Sequence, residues 1–238
     1  MTSEDPARPT DEESAGTAPV APAADTPTPA AEIARGAAER LAFFSDAVVA
    51  IAITLLAIDL PVPRGETDAE LWRSIGEESF TYLTFLISFI AIANHWSAHH
   101  RAFRWVARAD RPLILLNLLW LLFIVLTPFL TEVVREGEEL TWSRFGLYAG
   151  AQAVLLFLLA AMISRLSSRH MFIDATPATF ARRGWVGAML TGLGFALSIP
   201  VFPLLHGWSF AVWVLVPVVG NRVVQALGWV RADDHDTD

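Results

Sequence analysis

Residues 40 to 63 read RLAFFSDAVVAIAITLLAIDLPVP, an apolar run with one aspartate, Asp46, just inside its beginning and a second, Asp59, at its end. At 3.6 residues per turn, Ala47, Ile51, Thr54, Leu55 and Ile58 share one side of a helix, and all are apolar or small apart from one hydroxyl. Asp46 lies six residues past Arg40, roughly 9 Å along a helix axis. A carboxylate at mid-membrane costs about 2.5–3.5 kcal/mol on insertion scales, and less near the interface. Such groups therefore face a bundle interior or water and have a partner. Asp46 thus reads in two ways: as a hydrogen bond between helices, or as part of a polar network at the mouth of a pathway.

Composition supplies the setting. Of the 238 residues, 54% are hydrophobic and 18% charged, below the roughly 25% charged residues usual in soluble domains. The chain reads as an all-α membrane protein. Its net charge of −8 belongs to its ends. Residues 1–34 are acidic, rich in Ala and Pro, and poor in large apolar side chains, so they cannot bury enough surface to order themselves. Residues 231–238 form a second acidic tail. The absence of cysteine excludes disulfides, thiolate metal sites and cysteine nucleophiles.

Between the tails, residues 35–230 hold six apolar segments, roughly 38–60, 79–99, 112–131, 145–163, 184–205 and 208–229. Each approaches the ~20 residues a helix needs to span a bilayer, and a lone span must be helical to satisfy its own backbone. Pro200, Pro203 and Pro217 are expected to interrupt the last two. Arg101, Arg104, Arg108 and Arg111 follow the second segment, and Arg165, Arg169, Arg182 and Arg183 follow the fourth. Arginine-rich short loops stay in the cytoplasm, which puts both termini inside. The opposite loops, with Glu66, Asp68, Glu70, Glu77, Glu78, Glu132, Glu136, Glu138 and Glu139, should attract cations.

The partner for Asp46 is sought on the second segment, whose arginine-bearing end reads NHWSAHHRAFRW. His95 and His99 lie four apart on one helix face, and each reads first as a packing residue. Haem would need a facing histidine on another span, and His206 lies at the other membrane face. No carbonyl-filter sequence, Walker loop, nucleophile elbow or zinc helix is present. The expectation is therefore a protein that is not an enzyme, with no cofactor, no resident metal and no nucleic-acid partner. A proton-coupled secondary transporter using Asp46 and the histidines is one functional reading, although the second half contains no repeat of the FSD segment.

Arg40-x-x-x-Phe44-Ser45-Asp46 with its apolar sequel closely resembles the R-x-x-x-F-S-D signature of the transmembrane protein 175 family of potassium channels, in its six-span bacterial form. Trp96-x-x-His99-His100-x-x-Phe103 resembles that family's W-x-x-H-H-x-x-F segment, and Asn117-Leu118 with Pro128-Phe129-x-Thr131 is similar to its next span. The likeness covers about residues 36 to 131. It implies a homotetramer of six-span subunits in the cell membrane, passing potassium through a pore lined by the first helix. It assigns the narrowing to Ile51 and a pore hydroxyl to Thr54, with Leu55 and Ile58 further along the stripe. It also implies a network of Arg40, Asp46 and His99, with His95 as the alternative histidine, that holds the pore helices beside Phe44, Ser45 and Trp96.

Overall fold

The structure, a computed structural model, describes residues 28–136 and 139–226. The acidic tail at 231–238 and most of that at 1–34 lie outside the described residues. Eight α-helices follow in order: α1 Pro29–Leu55, α2 Asp68–Glu77, α3 Ser79–Phe103, α4 Arg111–Arg135, α5 Trp142–Ser168, α6 Ala178–Arg183, α7 Trp185–Leu205 and α8 Phe210–Ala226. No strand occurs among the described residues; a single antiparallel bridge joins Val106 and Phe172.

The first helix starts earlier and stops sooner than its apolar run. Thr28 caps it, accepting from the Ala31 N–H, and Pro29 opens it, where a fixed φ and a missing N–H cost nothing. Residues 29–34, assigned above to an unordered tail, are therefore helical. At the other end α1 closes at Leu55, and the N–H groups of Ala57, Ile58 and Leu60 reach back only three residues. The cause is Pro61, which disfavours helical geometry at the residue before it. Ile58, expected on the helical stripe, lies in this tightened turn instead.

The prolines expected to break the last two segments lie inside continuous helices. Pro203 leaves the carbonyl four residues earlier, Ile199 O, without its helical donor, and the indole N–H of Trp142 on α5 occupies it at 3.0 Å. The reversal between α7 and α8 is a 3₁₀ turn at His206–Ser209, which His206 enters with φ 44°.

α5 is the hub. It packs on α4 and α7, α7 packs on α8, and α1 lies on α3 and α4. Close approach is bought by small residues: a Cβ added at Gly192 would sit 2.7 Å from the Phe157 ring. Among the described residues three stretches are long and apolar enough to cross a membrane, Arg111–Arg135, Trp142–Ser168 and Trp185–Ala226, and a fourth when α2 and α3, bent by 61° at their junction, are taken together. The 42 residues from Trp185 to Ala226 hold two helices packed on each other, so they form a hairpin. The helical part of α1 carries Glu39, Arg40 and Asp46 within its last 18 residues, which dilutes its hydropathy.

The two arginine-rich loops meet at one end of the bundle. Ala107 N–H bonds to Met171 O and Ile173 N–H to Trp105 O, and Arg108 donates to Arg169 O. Beside them, Arg165 grips Asp110 through Nε to Oδ1 at 3.0 Å and Nη2 to Oδ2 at 2.5 Å, while Asp110 caps α4 through the Leu113 N–H. The Arg165 guanidinium holds the Asp110 carboxyl below its ordinary value.

Candidate functional site: the two faces of α1

α1 is divided lengthwise. Ala38, Ser45, Val49, Ala52 and Leu56 are buried, recurring at the three- and four-residue spacing of one helix face, and they pack on α3 and α4. On the other side Phe43, Phe44, Ala47, Ala50, Ile51, Thr54 and Leu55 are uncovered. The contrast is sharpest between neighbours: Val49 is 1% exposed and Ile51 60%. The residues read from the sequence as a stripe, Ala47, Ile51, Thr54, Leu55 and Ile58, are all exposed. The Thr54 hydroxyl donates to Ile51 O at 2.8 Å. Its proton is thereby committed to the helix, and its lone pairs are left available to a cation.

The buried face is fixed by a chain of hydrogen bonds at the FSD segment. His99 Nε2 donates to Asn117 Oδ1 at 2.8 Å, Asn117 Nδ2 donates to Ser45 Oγ at 2.9 Å, and Ser45 Oγ donates to Leu41 O at 2.8 Å. Because the Asn117 oxygen accepts, His99 carries its proton on Nε2. Its ring stacks between Phe103 and Trp120, with centroids 3.9 and 4.4 Å away. The motif serine, then, ties α1 to α4 and α3.

Within the expected network, the motif aspartate meets Trp96 and not Arg40, His99 or His95. Asp46 Oδ1 accepts from the Trp96 indole at 2.8 Å, and Oδ2 lies 3.8 Å from His100 Nδ1. His99 turns to Asn117, and Arg40 is exposed without a hydrogen bond or ion pair among the described residues. The reason is steric: with His99 held in its aromatic stack, the half-exposed carboxylate meets Trp96 and His100 on the outer side of α3. His95, the alternative histidine, faces away from α1 and donates from Nε2 to Gln152 Oε1 on α5 at 2.7 Å.

Several residues that hold the helices are not among the site residues expected from the sequence, although Asn117 is part of the family likeness. Asn117 is the lone polar side chain in α4 between Arg111 and Thr127, which is the signal that could have found it. Gln152 stands equally alone in the core of α5. At the far end, Tyr82 OH donates to Pro61 O at 2.8 Å and Arg135 Nη2 to Asp59 O at 3.2 Å. These bonds fasten the chain just after α1 to α3 and α4, and only backbone carbonyls accept them, so no residue pattern announces them. Among the described residues no group of three or more His, Asp or Glu side chains could hold a metal ion.

The chain is similar to known proteins over most of its length. A family model described as the endosomal/lysosomal potassium channel TMEM175 matches residues 40–128, which contain the FSD segment, Trp96, His99 and Asn117. A potassium channel of Streptomyces collinus is 34% identical over 67% of this chain and 80% of its own length. One of Chamaesiphon minutus is 33% identical over 75% and 88%. The crystal structure of a lysosomal potassium-selective channel TMEM175 homolog from Chamaesiphon minutus shares the fold with a TM-score of 0.64, at 24% identity, covering 77% of this chain and 96% of that one. The chain belongs to the TMEM175 potassium-channel family.

Proposed function

We infer that the chain is a potassium channel whose pathway is lined by the uncovered face of α1, contributed by each subunit of a homotetramer. The observation that carries this reading is the division of α1: one face locked by Ser45, Asn117 and His99, the other an exposed, mainly apolar stripe interrupted by the Thr54 hydroxyl. Ile51 forms the constriction, Thr54 and Leu55 continue it, and Ile58 stands where the helix gives way to its terminal turn. A pore without carbonyl ligands must control ions through width and wetting, and an apolar constriction gates by excluding water. Potassium, which sheds water more readily than sodium, should pass preferentially.

In this reading α1, α3, α4, α5, α7 and α8 each cross the cell membrane, with both termini and the joined arginine loops on the cytoplasmic side. Asp46 positions the inner end of the pore helix through Trp96, and no ion need touch it. Reconstitution into liposomes with a potassium gradient tests the function: passive potassium flux, greater than sodium flux and with little chloride, is expected. Flux equal to that of empty liposomes, or flux that requires a counter-substrate, contradicts it.

A further inference from the structure

A cleft of about 500 Å³ opens between α3 and α7 on the side of the subunit away from α1, floored by α5. Its lining is mixed. Arg101 of α3 and Gly187 of α7 stand toward the arginine-rich end, Leu156 and Ile163 of α5 form an apolar floor with Phe195 beside it, and Asn94, His95 and Asn221 add polar groups to the walls. Arg101 spends one donor on Ser97 Oγ at 3.0 Å. Its remaining donors have no hydrogen-bond partner among the described residues, and the side chain is exposed. The gap is real at Gly187, where an added Cβ would meet nothing within 4 Å.

We propose that this cleft holds an anionic phospholipid, its phosphate on Arg101 and an acyl chain laid along Leu156 and Phe195. The guanidinium and the apolar floor fit that chemistry together. A guanidinium fork matches phosphate oxygens; basic pockets between membrane helices bind acidic headgroups; and a free anion would make no use of the apolar floor. The site is separate from the α1 face, and its test reads lipid rather than current, so it stands or falls apart from the conduction pathway.

The full-length protein is incorporated into vesicles of equal phosphatidylglycerol and phosphatidylcholine, re-extracted, and examined for retained lipid by native mass spectrometry. Wild type should keep phosphatidylglycerol in preference to phosphatidylcholine. Arg101→Gln should reduce that retention about fivefold, the effect of one basic residue near an anionic headgroup, and Arg111→Gln, an exposed arginine outside the cleft, should not. Gly187→Leu fills the cleft while raising helix propensity, so it should fold normally and lose the lipid with Arg101 still present. Equal retention of the two lipids overturns the proposal, as does full phosphatidylglycerol retention by both cleft variants. Loss of the oligomer together with the lipid in Gly187→Leu also overturns it, because the cleft would then be a contact between subunits.

Discussion

The indole N–H of Trp96 lies 2.8 Å from Asp46 Oδ1, and it bridges α3 and α1 at the arginine-rich end of the bundle. A hydrogen bond to a charged group is worth about 1.5–3 kcal/mol. Trp96→Phe, which keeps the ring and removes the donor, should destabilise the detergent-solubilised protein by that amount. Asp46→Asn should cost less once Trp96 is already Phe. A double-mutant cycle by thermal unfolding measures this coupling, and additive effects would mean that the pair does not hold α1.

Asn117 should matter more than Asp46 for assembly. Replacing it by Leu strands the buried His99 Nε2–H and removes the donor to Ser45 Oγ, whose own proton stays on Leu41 O; a buried unsatisfied donor costs about 1–3 kcal/mol. Size-exclusion chromatography should show Asn117→Leu as poorly assembled, with Asp46→Asn retaining its oligomer because its half-exposed carboxylate can be rehydrated. The reverse order would show that the aspartate is the principal fastener.

Trp142 and Pro203 form a compensating pair. Trp142→Phe removes the donor to Ile199 O and should cost about 0.5–1.5 kcal/mol. In a Pro203→Ala background the helix regains its own N–H for that carbonyl, and the same substitution should become nearly neutral. Equal cost in both backgrounds would show that the indole contributes by packing alone.

Asp110 sets an acid limit on stability. Its folded carboxyl is held below the ordinary value of 3.8, chiefly by hydrogen bonding to Arg165. A depressed folded value contributes stability that is complete above the ordinary value and is lost as pH falls through the folded one. Thermal unfolding followed from about pH 6 down to pH 3 should show a loss in wild type that Arg165→Gln blunts. Identical pH profiles would assign the acid sensitivity to other groups.

The all-helical character could be read from the sequence, because apolar length depends on local composition. The exposed stripe from Ala47 to Leu55 was legible for the same reason: helix period alone places those residues together. The ends of α1 were less so. Its early start depends on capping by Thr28 and Pro29, and its early stop on Pro61. The partners of the FSD segment were least legible, since the choice between His99 and Trp96 for Asp46 is made by the aromatic stack of Phe103, His99 and Trp120. Sequence spacing cannot reveal that stack.

The central claim is that Ile51 narrows a pathway along the uncovered face of α1. Ile51→Asn should wet the constriction, raise conductance and weaken discrimination between potassium and sodium. Val49 lies about 200° round the helix from Ile51 and is 1% exposed; Val49→Asn should therefore lower stability or yield without changing selectivity. Reversal potentials of reconstituted Ile51→Asn in mixed potassium and sodium test the claim most directly. A shift toward the non-selective value is predicted, whereas wild-type selectivity in a fully assembled Ile51→Asn oligomer would contradict it.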